Sequence, residues 1–119
     1  EVDWQLSHSN ILEIKPLIPQ FLETVKPECR VGTLADVDAM LDEGRLVFAV
    51  LNQRALNDQS GYAAHAVLIL GKEEDDYVLH DPGLPPHPSM HVSAEKLTAA
   101  RGGEQSAHEI TGFKRADAA

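Results

Sequence analysis

Leu46–Leu51 and Ala64–Gly71 are apolar at nearly every position, and polar residues bound each run. Runs of that length and continuity predict strands buried within a sheet. Tyr77–Asp81 predicts a third strand, reached through the acidic turn Lys72–Asp76. Elsewhere the pattern has a helical period. Ile11, Ile14, Leu17, Ile18, Phe21, Leu22 and Val25 line one helix face. Pro16 and Pro19 interrupt that segment, so the helix is expected to start near one of them and to end at Lys26-Pro27. In Thr33–Glu43, Leu34, Val37, Met40 and Leu41 form an apolar face. Thr33 is the expected N-cap, Asp36 stands where a capping box needs it, and Gly44 supplies the stop.

The remaining segments read as connections and edges. Residues 1–10 are polar around Trp4 with a weak strand tendency, and Asn52–Tyr62 predicts a surface loop. Pro82–Pro88 holds four prolines and one glycine and predicts extended loop. Met90–Val92 suits a short strand. Ser93 suits the cap of a helix through about Arg101, with Leu97 facing inward and Gly102-Gly103 ending it. Ser106–Lys114 is placed to close the sheet.

Composition narrows the functional classes. A length of 119 residues predicts a single domain over 1–119, and 43% apolar residues exclude a disordered composition. Asp and Glu number 19 against 10 Lys and Arg, for a net charge of -9. That balance argues against nucleic acid or an anionic membrane as partner. No apolar run is long enough to span a bilayer, and no signal-peptide core is visible at the amino end. Cys29 is the only cysteine, so no intrachain disulfide forms. A reducing compartment fits, and a cytoplasmic location is the expectation. The sequence begins with Glu1 and not Met, as a processed product or a fragment does.

The candidate chemistry lies in the hairpin. With the turn centred on Glu73, Ile69 faces Tyr77, Val67 faces Leu79, and His65 faces Asp81. Opposed residues share a face with Cβ atoms about 4.5–5.5 Å apart, within reach of an imidazole–carboxylate hydrogen bond. A slip of one residue would send the two side chains to opposite faces. A histidine oriented by an aspartate is the base half of a nucleophilic triad. The third member is not evident. Cys29 reads either as a nucleophile or as a small residue at the core edge. His80, His87 and His91 near Asp81 read either as metal ligands or as solvated side chains. Asn52 and Gln53 end a strand close to the pair, as donors to a ligand or as backbone partners. No cofactor is expected.

The segment Gly61-Tyr-Ala-Ala-His65-Ala-Val-Leu-Ile-Leu-Gly71, followed by Asp75-Asp-Tyr-Val-Leu-His-Asp-Pro-Gly83, resembles the carboxyl half of papain-like cysteine peptidases. The likeness is to the bacteriocin-processing (double-glycine) peptidases and their bacterial relatives, and it covers residues 31–101. The helix over Leu34–Gly44, the strand Leu46–Asn52 and the helix near Ser93–Arg101 follow the same order. The resemblance implies an α+β papain-like fold, a twisted antiparallel sheet with helices packed on it. It also implies His65 as general base and acid, with Asp81 orienting it.

One departure stands out: no Gln-to-Cys-Gly segment precedes a helix. The expectation is therefore a cysteine-peptidase-like domain that acts on an extended peptide only if its thiol comes from outside these residues. The alternative is a noncatalytic peptide- or protein-binding module that forms a homo-oligomer through an uncovered sheet face.

Overall fold

The computed structural model describes residues 11–26, 28, 30–83, 85–102 and 109–114. Trp4, Pro27, Cys29, Gly103 and Ser106 lie outside the described residues. The chain forms two compact units, Glu1–Arg30 and Val31–Ala119.

In the first unit, α1 (Ile11–Ile14) runs into a 3-10 turn (Lys15–Leu17) and then α2 (Ile18–Thr24). Pro16 and Pro19 sit in the first turns of the last two pieces, where a missing N–H forfeits no hydrogen bond. Among the described residues the helical run already includes Ile11, ahead of either proline, and each proline restarts it. Leu17, Ile18, Phe21, Leu22 and Val25 are all exposed.

The second unit holds the sheet. Helix α3 (Leu34–Asp42) starts with the expected capping box. Thr33 Oγ1 accepts from the Asp36 N–H at 3.2 Å, and Asp36 Oδ2 accepts from the Thr33 N–H at 2.8 Å. Gly44 follows at φ +79, a conformation that glycine adopts without strain. Then come β1 (Leu46–Asn52), the one-turn helix α4 (Gln53–Leu56), β2 (Ala64–Glu73) and β3 (Asp76–Asp81). They are followed by β4 (His87–Ser93), α5 (Ala94–Arg101) and β5 (Ile110–Phe113). Helix α4 replaces part of the predicted loop. Asn52 Oδ1 caps it at the Arg54 N–H (3.1 Å), and Leu56 anchors it in the core. Strand β4 begins inside the predicted proline-rich loop; it is an edge strand, where Pro88 is tolerated.

The protein is α+β, with a five-stranded antiparallel open sheet in the order β4-β3-β2-β1-β5 and helices packed on it. Its core is one-sided. Val47, Ala49, Leu51, Val67, Ile69, Tyr77 and Leu79 are buried against Val37 of α3, Leu56 of α4, and Leu97 and Ala100 of α5. Leu46, Phe48, Val50, Leu68, Leu70 and Val78 alternate with them and are only half-buried. The continuous apolar runs therefore belong to strands covered on one face, with apolar residues also on the other. Arg101, buried at the end of α5, donates from Nη2 to the Gly32 carbonyl at 2.8 Å and ties α5 to the approach to α3. No helix among the described residues is long and apolar enough to cross a membrane.

The hairpin register departs from the predicted one. Ile69 faces Leu79 and Leu68 faces His80. A bulge follows, and beyond it Gly71 faces Val78, Lys72 faces Tyr77 and Glu73 faces Asp76. Only Glu74 and Asp75 form the turn, with Glu74 at φ +58. The extra residue in β2 reverses its facing. Lys72 consequently comes to the core side, 5.0 Å above the Tyr77 ring and 3.6 Å from Asp38 of α3. The Tyr77 hydroxyl donates to Asp38 Oδ1 at 2.6 Å, which pins the hairpin to α3. Burial, with the Asp38 carboxylate beside it, pushes that hydroxyl well above the usual tyrosine range.

The one-sided core makes a direct prediction. Leu79→Ala, at a fully buried site, should cost about 2–5 kcal/mol. Leu68→Ala, on the half-buried face, should cost no more than about 1.5 kcal/mol in the same urea-denaturation series. Equal losses would contradict this arrangement.

Candidate functional site: the His65–Asp81 pair

His65 lies at the start of β2 and Asp81 at the end of β3, both on the core-facing side. Extending the Ile69–Leu79 pairing sets Val67, not His65, opposite Asp81. His65 is therefore the diagonal neighbour, two residues further along. A shift of two positions preserves the face, so the pair forms in spite of the different register. A diagonal gap of about 7–8 Å between backbone positions is within reach of a long side chain. His65 spans it, and its Nε2 stands 2.5 Å from Asp81 Oδ1. Across β1, Leu51 is the residue directly opposite His65 and closes the apolar floor.

Asp81 is 3% exposed, and a carboxylate buried that deeply needs hydrogen-bond donors. It has two. Nε2 of His65 is one, and the Gly83 N–H, 2.9 Å from the same oxygen, is the other. Pro82 has no N–H, so Gly83 carries the first amide of the loop that can turn back to the carboxylate. Burial alone would raise the Asp81 carboxyl. The hydrogen bonds from His65 and Gly83, and the positive charge of protonated His65 and His87, outweigh burial and hold it below the usual carboxylate range. Asp81 is thus an anion at neutral pH.

That anion fixes the chemistry of the ring. An ionised carboxylate only accepts, so Nε2 of His65 carries the proton. In the neutral imidazole Nδ1 is then the basic nitrogen. No hydrogen bond to Nδ1 is made among the described residues. The His65 side chain is 20% exposed, enough for a reacting group to reach it. The pair therefore supplies a base oriented by a carboxylate.

No Ser, Thr or Cys side chain is hydrogen-bonded to His65 among the described residues. The reading of Cys29 as nucleophile falls outside the described residues. The metal-ligand candidates His80, His87 and His91 go separate ways. His80 faces Leu68 on the half-buried side. His87 is opposite Asp81 on β4. His91 faces Val78 and lies 3.6 Å from Glu73. Among the described residues no three His, Cys, Asp or Glu side chains converge on a metal position. Asn52 is committed to the loop beside β2: its Oδ1 also accepts from the Ala63 N–H (3.0 Å), and its Nδ2 donates to the Gly61 carbonyl (2.9 Å). Sequence reasoning missed Gly83, although the run Asp81-Pro82-Gly83 is the signal of an aspartate closing on the amide two residues on.

No protein-family model, no curated protein and no solved structure matches the chain.

The depressed Asp81 carboxyl sets the direction of the pH dependence. Its folded pKa lies below the unfolded value, so its stabilisation is complete above the unfolded value of about 3.9 and is lost as pH falls through the folded value. Asp81→Asn should lose about 1.5–3 kcal/mol at pH 7, the range for hydrogen bonds to a charged group. Its stability should also fall less steeply with acid than the wild type's. Parallel curves in pH-dependent urea denaturation would count against an ionised, paired Asp81.

Proposed function

We propose that residues 31–101 are the base-bearing part of a papain-like cysteine peptidase domain, with its nucleophilic thiol supplied from outside these residues. The observation that carries the reading is the Nε2–Oδ1 hydrogen bond of 2.5 Å, which leaves Nδ1 as the free base. The order α3, β1, β2, β3, α5 and the antiparallel sheet support it, since they follow the family's sequence of elements. In the reaction Nδ1 takes the thiol proton, and the thiolate attacks the carbonyl of an extended peptide. The imidazolium, stabilised by Asp81, returns the proton to the leaving amine. Water then hydrolyses the thioester, again with His65 as base. Asp81 keeps its charge throughout.

A second reading draws on a different observation. Leu46, Phe48, Val50, Leu68, Leu70 and Val78 make a half-buried apolar face that α3, α4 and α5 leave uncovered. On that ground the domain is a noncatalytic module that binds a peptide or protein partner and pairs with another copy through this face.

Peptide hydrolysis by the protein expressed from its whole reading frame separates the two. The peptidase reading expects turnover that iodoacetamide stops. His65→Ala should lower kcat/KM by about 10²–10⁴-fold, and Cys29→Ser should leave it unchanged. Hydrolysis indifferent to His65, or none at all, contradicts it. For the module reading, Phe48→Glu should convert a dimer to a monomer in analytical ultracentrifugation; a wild-type monomer contradicts that alternative.

A further inference from the structure

We propose that Gly83 is a positioning residue for the His65–Asp81 pair, and that a side chain at this position would press on the Asp81 carboxylate and loosen the pair. The catalytic consequence rests on the peptidase reading given above; the geometry does not.

Gly83 acts on the pair in two ways. Its N–H holds Asp81 Oδ1 at 2.9 Å, the oxygen that also receives His65 Nε2. The direction in which a side chain would leave Gly83 points at that pair. A Cβ there would stand 3.0 Å from Asp81 Oδ1, 3.5 Å from His65 Cε1 and 3.6 Å from His65 Nε2. The carboxylate is buried and held by two donors, so it cannot withdraw without loosening one of them. If the carboxylate yields, the bond to His65 lengthens. If the loop yields, the Gly83 amide leaves the carboxylate. Either way Asp81 loses part of the donation that offsets its burial.

Nε2 of His65 is engaged by the same Asp81 oxygen that the Gly83 amide holds, so fixing that oxygen biases reaction toward Nδ1. Other glycines lack this role: a Cβ at Gly71 would meet nothing within 4 Å. Gly71→Ala is therefore the matched control.

NMR titration of the Asp81 carboxyl tests the proposal without needing turnover. In Gly83→Ala the Asp81 midpoint should rise by at least about half a pH unit toward the ordinary carboxylate value. The His65 Nε2 proton resonance should broaden, while Gly71→Ala leaves both signals as in the wild type. An unmoved Asp81 midpoint in a folded Gly83→Ala protein overturns the proposal. Should Gly83→Ala not fold, the wild-type Gly83 amide decides. Its shift should follow Asp81 with a shared midpoint, and an amide that ignores Asp81 ionisation overturns the proposal. Coupled titration in a protein without peptidase activity would sink the peptidase reading and leave this inference standing. Turnover with an uncoupled Gly83 would do the reverse.

Discussion

A buried carboxylate must be answered by donors, and the meeting of β2, β3 and the loop after them is organised around that need. Asp81 ends β3 on the same face as Tyr77 and Leu79, so the alternation that builds the core also draws its side chain inward. Desolvation would neutralise it if it stood alone. His65 arrives from the neighbouring strand and Gly83 from two residues further along the chain. Between them they keep Asp81 charged, and the charge in turn fixes which ring nitrogen of His65 holds a proton. Fold and chemistry are coupled through this one oxygen atom.

The pair stands at the rim of the core rather than inside it, and that position gives it access. Its floor is apolar and its carboxylate is dry, while part of the imidazole meets solvent. Low local dielectric strengthens the carboxylate–imidazole coupling. The partly open ring edge is where a reacting group can approach. The opposite face of the sheet has a different character, apolar but only half-buried, and bears on association rather than on chemistry.

Much of this was legible in the residues, for local reasons. Thr33 with Asp36, and Ser93 before Ala94, marked helix starts because a side-chain oxygen must satisfy the first free amides. The strands were legible from their apolar runs, and the His65–Asp81 pair from its shared parity in the hairpin. What escaped depends on less local physics. Gly71 is the one local sign of a bulge in Leu68-Ile-Leu-Gly71, but it reads equally as the strand's end, and the bulge is what allows Lys72 and Ile69 to face the same side. Glu74 takes a turn position that usually attracts Gly or Asn, so the two-residue turn was hidden. Helix α4 has one buried anchor, Leu56, in a polar stretch, too little for a periodic signal. The apolar runs indicated burial on both faces, because an uncovered face built of Phe, Leu and Val looks the same in sequence as a covered one.

The most direct check is the tautomer of His65, read from long-range proton–nitrogen correlations at a pH where the ring is neutral. A single form is expected, with hydrogen on Nε2 and a lone pair on Nδ1. Hydrogen on Nδ1, or rapid averaging between the two nitrogens, would contradict it, because a ring held by an ionised Asp81 has no such freedom.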